Sequence, residues 1–191
     1  MPTISILGSG NGTNAQALID AIESETLPAT IGCIISDVKD APILQRAQRH
    51  HLPAYHVDCA PSPHALRDTA EATVLDRLAQ HQTDYVILAG FMRIIKANLL
   101  ATYPHRIINI HPSLLPAFPG LDAGRQAFEA RVSQTGCTVH YVDAGIDTGK
   151  IILQQPVTID PTDTLETLMQ KIHAAEHQAY PAALRKIFSQ S

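Results

Sequence analysis

The chain has 191 residues, 45% hydrophobic and 17% charged, with 18 acids against 14 bases and a formal net charge of −4. That balance excludes a disordered chain, which needs low hydrophobicity and high net charge. With no Lys/Arg run it also argues against a general binder of phosphate backbones, so no nucleic-acid partner is expected.

Short β-branched runs alternate with longer helical ones along the sequence, the pattern of an α/β fold with a mostly parallel central sheet flanked by helices. The first strand is Thr3–Leu7, followed by a glycine-rich turn and a helix over 13–25. Thr13-Asn14-Ala15-Gln16 has the form of a capping box at that helix start. Thr30–Ser36 reads as the second strand, and Asp40-Ala41-Pro42 opens a helix with proline in its first turn. A short third strand covers 54–57, and Ser62-Pro63 opens a helix running to about residue 80. Residues 85–89 are continuously apolar, as in a central strand buried on both faces.

A short helix over 96–102 and a strand over 106–111 come next. Beyond the proline-punctuated segment 112–120, a helix covers 122–132. Strands over 138–142 and 151–157 flank a polar loop and can pair as a hairpin, adding an antiparallel element. The last helix begins near Asp163, whose spacing to Glu166 has capping-box form, and runs to about Phe188 with a bend at Pro181. No linker-like stretch interrupts the chain, so one domain over 1–191 is expected, long enough to bury a core without staples.

The cysteines, Cys33, Cys59 and Cys137, are odd in number and widely spaced. They read as reduced thiols of a cytoplasmic protein rather than a disulfide or zinc framework. Apolar runs fall far short of the ~18 residues that span a bilayer, and Met1-Pro2-Thr3 has no basic start, so neither membrane association nor a secretory signal is expected. Ten histidines stand out beside the absence of tryptophan, and histidine is the side chain that titrates near neutrality.

Gly8-Ser9-Gly10-Asn11-Gly12-Thr13-Asn14 lies between a strand and a helix. Glycines let backbone approach a ligand, and the unpaired amides of a helix start favour an anion, phosphate first. Counted from Gly8, the dinucleotide pattern GxGxxG fails at Thr13; counted from Gly10, the relaxed form ends on Ala15. Asp37 then stands where a ribose-binding acid could lie, so the motif alone leaves a nicotinamide enzyme open beside a simple tight turn.

Asn109-Ile110-His111-Pro112-Ser113 ends a buried strand. Period two puts Asn109 and His111 on one face, at the strand end where ligands gather in open α/β sheets. An amide donor and an imidazole together suit a reaction that builds negative charge on oxygen. An acid is then wanted beside the imidazole, and Asp143 and Asp147 both lie in the polar loop. Against this stands a strand-end histidine satisfied by backbone. His173-Ala174-Ala175-Glu176-His177 has the HxxEH form of a zinc helix; a further ligand is lacking downstream, so no metal is expected.

"SGNGTN" at 9–14, "LAGFMRI" at 88–94, "NIHPSLLP" at 109–116 and "GIDTGKIILQ" at 145–154 together resemble the folate-dependent formyltransferases, in collinear order over roughly residues 3 to 181. The resemblance implies a Rossmann-like formyltransferase fold. It also implies transfer of a formyl group from 10-formyltetrahydrofolate, as co-substrate, to the glycinamide amine of 5-phosphoribosylglycinamide in purine synthesis. Gly12, Thr13 and Asn14 would hold the substrate phosphate. Asn109, His111 and Asp147 match the catalytic trio: protonated His111 and Asn109 would stabilise the tetrahedral oxyanion, and Asp147 would favour the charged imidazole and assist proton movement.

Met92, Arg93, Ile94 and Ile95, with Asn109 and the loop Asp143, Ala144, Gly145, Ile146 and Asp147, match the folate-contacting segments, whose backbone would read the pterin edge. Arg67 aligns with an arginine on the folate side. His173, Ala174, Ala175 and Glu176 would line the ribonucleotide, with Glu176 on the ribose hydroxyls. The chain departs from the pattern at Leu121-Asp122-Ala123-Gly124-Arg125, where histidines are usual, and at Lys150, where proline is common. Relatives acting on tRNA or hydrolysing the formyl-folate would need an extra C-terminal or N-terminal domain, and none is expected here.

Overall fold

The elements run β1 (Thr3–Leu7), α1 (Thr13–Glu23), β2 (Thr30–Ser36), α2 (Pro42–Arg49), β3 (Ala54–His56), α3 (Asp68–Gln80), β4 (Tyr85–Leu88), α4 (Ala97–Thr102), β5 (Ile107–His111), α5 (Ala123–Glu129), β6 (Gln134–Tyr141), β7 (Ile151–Thr158) and α6 (Leu165–Phe188). The computed structural model describes residues 1–62 and 64–189. Its sheet has the order β3-β2-β1-β4-β5-β6-β7. β1 pairs in parallel with β2 and β4, β2 in parallel with β3, and β6 antiparallel with β7. This is the mostly parallel α/β sheet that the alternation predicts, hairpin included. The chain divides into two units, Met1–Ile108 and Asn109–Ser191.

In the first unit Ile4, Ile6, Ile34, Val86 and Ile87 are fully buried, as parallel strands covered on both faces require. Gly8 N–H donates to Ile35 O and Ser9 N–H to Gly90 O, each at 3.0 Å, so the turns after β1, β2 and β4 are tied together. α1 starts without the expected capping box. Gly12, left-handed at φ 68°, takes the N-cap position and no side chain caps the helix. The helix ends at Glu23 rather than 25, and Glu25 is itself left-handed at φ 59°.

The helix expected from Ser62 begins only at Asp68, and Pro63 lies outside the described residues. Residues 64–66 are held instead by pairing with another segment: Ile94 N–H donates to His64 O and Leu66 N–H to Ile94 O, both at 3.0 Å, around a parallel bridge between Ala65 and Ile94. Tertiary pairing outweighs the local helix signal. The Glu71 carboxylate of α3 then accepts Leu99 N–H at 3.0 Å and Asn98 Nδ2 at 2.9 Å, capping the short α4 in place of a residue of its own.

In the second unit β6 begins four residues before the expected 138, because Gln134↔Thr158 and Gly136↔Pro156 are paired with β7. α5 is shorter than the expected 122–132, bracketed by left-handed Asp122 and Arg131. α6 is capped one residue later than predicted. Thr164 Oγ1 accepts Thr167 N–H at 3.2 Å and Thr167 Oγ1 accepts Thr164 N–H at 3.0 Å, while Asp163 is held by Lys171 at 2.7 Å. The helix then continues through Pro181 to Phe188. It buries Leu168, Ile172, Tyr180 and Leu184 completely. Gly124 of α5 permits close approach to it, since a Cβ there would lie 2.4 Å from Met169 Sδ. The Leu115–Pro116 and Ala60–Pro61 peptides are cis. Among the described residues no helix is long and apolar enough to cross a membrane.

Because Thr164 supplies both halves of the cap with Thr167, Thr164→Ala should lower unfolding free energy by about 1 kcal/mol. Urea unfolding should show a lower midpoint at an unchanged slope; an unmoved midpoint would show that the cap is energetically silent.

Candidate active site

β5 delivers Asn109 and His111, two residues apart, to one side of its carboxyl end. His111 is 5% exposed. Its Nδ1 lies 3.3 Å from Asp147 Oδ2, and its Nε2 donates to Phe118 O at 2.8 Å. Both ring nitrogens face acceptors, a carboxylate and a carbonyl, so the doubly protonated ring satisfies both. The carbonyl is brought there by the proline-punctuated segment, which β6 and β7 hold in place. Thr138 Oγ1 donates to Ser113 O at 2.6 Å and accepts Leu115 N–H at 3.0 Å and Gln154 Nε2 at 2.9 Å.

Of the two loop acids, Asp147 is the one beside the His111 ring, and Asp143 is not. Asp143 accepts Gly145 N–H at 3.0 Å and Thr148 Oγ1 at 2.7 Å, closing its own exposed turn. Asp147, left-handed at φ 54°, accepts Gly120 N–H at 2.8 Å. Its other oxygen lies 3.6 Å from His140 Nε2. Burial acts to raise the Asp147 pKa. The nearby His140 ring, the Gly120 amide and the His111 ring outweigh it, so the carboxyl titrates below its usual value.

His140 belongs to this cluster and sequence reasoning missed it. It is 2% exposed, donates from Nδ1 to Tyr141 O at 2.8 Å, and sets Nε2 3.3 Å from Asn109 Nδ2. A neutral ring accepts from Asn109; a protonated ring points its second proton toward Asp147. The available signal was a histidine inside the otherwise apolar and small-residue run of β6, where a buried polar ring demands partners.

In the first unit the glycine loop has the form of an anion holder. Gly10 O accepts Ile43 N–H at 3.2 Å and Asn11 O accepts Arg46 Nε at 2.7 Å, so two carbonyls are drawn back onto α2. Left-handed Gly12 followed by helical Thr13 and Asn14 turns successive amides the same way, a concavity suited to phosphate. The ribose acid of the nicotinamide alternative is already engaged. Asp37, with a side chain only 2% exposed, is paired with Arg93 Nε at 2.6 Å and accepts the Ser9 hydroxyl.

The same unit brings the 62–67 stretch to the 92–95 stretch. Met92 is 62% and Ile94 42% exposed, whereas Ile95 is buried. Arg93 turns inward, donating to Asp37 and to Ser62 O at 3.0 Å. Arg67 is exposed and donates from Nε to Ser62 Oγ at 2.9 Å. The amides of Met92 and Ile94 are taken by Ser9 Oγ and His64 O, which removes two of the backbone donors expected to read a pterin edge.

On α6, His173 and Ala174 are exposed while Ala175 and Glu176 are buried. Among the described residues no group of three or more His, Cys, Asp or Glu side chains is arranged to hold a metal. The Cys137 thiol is pushed up to about 12 by burial and the Glu176 charge. Burial likewise raises Cys59 and Cys33, so all three cysteines are inert thiols.

The sequence profile of the formyl transferase family matches residues 3–184. The chain belongs to that family. It is 41% identical over 187 residues, 98% of its own length and 95% of the other's, to the Bacillus subtilis (strain 168) protein named phosphoribosylglycinamide formyltransferase. A solved structure of glycinamide ribonucleotide transformylase 1 from Symbiobacterium toebii superposes with TM-score 0.93 at 46% identity, over 100% of this chain and 88% of that one. Phosphoribosylglycinamide formyltransferase from Bacillus halodurans gives TM-score 0.93 at 46% identity, over 98% and 96%.

For this formyl transferase two outcomes follow. Because the Asp147 pKa is lowered on folding, its stabilisation is present above the unfolded value of roughly 4 and is lost as pH falls through the lower folded value. The stability gap between wild type and Asp147→Asn, followed by urea unfolding, should therefore shrink as pH drops below about 4; a pH-independent gap would contradict the assignment. Gly12→Ala forces a side chain into φ 68° and sets Cβ 2.6 Å from Ile43 Cγ1. It should cost about 1–2 kcal/mol or more, read in the same assay, and an unchanged midpoint would contradict it.

Proposed function

We propose that the chain, acting as one formyltransferase domain over 1–191, transfers the formyl group of 10-formyltetrahydrofolate to the glycinamide amine of 5-phosphoribosylglycinamide. This would be a step of purine synthesis in the cytoplasm, with small molecules as its partners. The observation that carries this reading is the buried His111–Asp147 pair beside Asn109, in a family member similar along its length to proteins named for the reaction.

The loop amides at Gly12, Thr13 and Asn14 hold the phosphate, so no basic surface is needed. On α6, Glu176 takes the ribose hydroxyls and residues 173–175 line the ribonucleotide. Met92 and Ile94 offer apolar faces to the folate ring. Arg93 and Ile95 anchor them from inside, and Arg67, facing solvent, suits a folate carboxylate. Asn109 and the 143–147 loop complete the donor contacts.

As the amine attacks the formyl carbon, negative charge grows on the formyl oxygen. Asn109 Nδ2 and the His111 N–H are the donors for it, each worth about 3–4 kcal/mol of barrier. His111 Nε2 donates its hydrogen bond to Phe118 O in the resting arrangement, so the oxyanion would replace that carbonyl as acceptor. Asp147, with its lowered pKa, is a weak base. Its work is to hold the imidazolium, while the proton given up by the attacking amine passes through water on the Asp147 side to N10 of the folate, so that the formyl C–N10 bond breaks and neutral tetrahydrofolate leaves.

Mixing the protein with phosphoribosylglycinamide and 10-formyltetrahydrofolate should release tetrahydrofolate, followed by absorbance, only when both substrates are present. No ribonucleotide-dependent turnover would overturn the reading. His111→Ala should lower kcat by about 10²–10³-fold while the ribonucleotide Kd, by calorimetry, stays within about threefold. Loss of ribonucleotide binding instead would make His111 a structural residue.

A further inference from the structure

We infer that Asp37 is a positioning residue for the formyl-donor segment, holding Met92 and Arg93 through one buried carboxylate and the Ser9 hydroxyl. The donor-binding part of this inference rests on the formyl-transfer reading above.

Asp37 directly follows β2 and its side chain is 2% exposed. One oxygen accepts the Ser9 hydroxyl, from the turn after β1. The other takes Arg93 Nε at 2.6 Å, from the segment after β4. Ser9 Oγ in turn accepts Met92 N–H at 2.8 Å. Arg93 Nη1 reaches Ser62 O at 3.0 Å, and Ser62 Oγ accepts Arg67 Nε at 2.9 Å. One carboxylate thus links the turns after β1, β2 and β4 to the 62–67 stretch.

The direction of each proton gives the network its content. Ser9 has a single hydroxyl proton, and giving it to Asp37 leaves a lone pair for the Met92 amide. Without Asp37 that proton is free to rotate and the Met92 contact loses its orientation. An asparagine could accept from Ser9 or from Arg93, but its amide group would meet the other partner wrongly.

A buried ion pair is weak evidence for stability, because a packed apolar replacement often serves as well. What a hydrophobic isostere could not supply is the fixed pose of Met92 and of the neighbouring exposed Ile94. The anion-facing part of the loop is anchored separately, through Gly10 O to Ile43 N–H and Asn11 O to Arg46 Nε. Disturbing Asp37 should therefore act on the folate side and spare the phosphate side.

The test uses the full chain as wild type, Asp37→Ala, Asp37→Glu and Ser9→Ala, the last leaving the Asp37–Arg93 pair in place. Hydrogen exchange at the Met92 amide should quicken by about tenfold or more in Asp37→Ala and Ser9→Ala. In Asp37→Ala the KM for 10-formyltetrahydrofolate should rise about tenfold to a hundredfold. Its kcat and ribonucleotide KM should stay within about threefold, and Asp37→Glu should recover part of both effects.

Unchanged Met92 exchange in both alanine variants overturns the inference. So does a rise in both KM values with a parallel fall in kcat, the mark of a merely structural residue. A wild-type protein without turnover refutes the formyl-transfer reading instead, and the Met92 exchange then decides the network by itself.

Discussion

One carboxylate, Asp147, meets the His111 ring at 3.3 Å, the Gly120 amide at 2.8 Å and the His140 ring at 3.6 Å. A charge this enclosed persists only because every neighbour favours the ionised form, as its lowered pKa records. The arrangement fixes His111 from one side while Phe118 O holds it from the other. It also shapes the chain around it, since the residue that donates to Asp147 closes the proline-punctuated segment and Asp147 itself adopts a left-handed backbone. Chemistry and local fold rest on the same group.

The first unit solves a different problem with similar means. Its glycine loop carries no basic side chain of its own, and α2 draws the intervening carbonyls away through Ile43 N–H and Arg46. In the proposed reading the loop amides would take the phosphate, which needs no basic surface on a chain of net charge −4. Buried charge appears where segments must be joined, at Asp37 with Arg93 and at Glu71 under α4.

Much of this was legible in the sequence, and the failures have physical causes. Strand positions followed from apolar runs such as 85–89, and the hairpin from two β-branched segments around a polar loop. Asn109 and His111 were visible because strand period two places them together. The residue pattern alone left Asp143 and Asp147 open and the family resemblance pointed to Asp147; loop geometry supplies the physical difference, since one acid closes its own turn and the other reaches the histidine. His140 carried a local mark, a polar ring in the small and apolar run of β6, but its partners Asn109 and Asp147 lie in other segments and the sequence does not name them. The start of α3 was misplaced because Ala65 pairs with Ile94, a contact 29 residues away by sequence that outweighs a local helix signal. Asp37 looked like a ribose acid until its oxygens were found on Ser9 and Arg93.

In the proposed reaction the formyl carbon is passed to an amine rather than released to water. Supplying 10-formyltetrahydrofolate labelled with carbon-13 in the formyl group, and following the label by NMR in the presence of phosphoribosylglycinamide, distinguishes the two fates. One labelled formamide on the glycinamide nitrogen is expected for each tetrahydrofolate formed. Label recovered as free formate, at the same rate with or without the ribonucleotide, would contradict it.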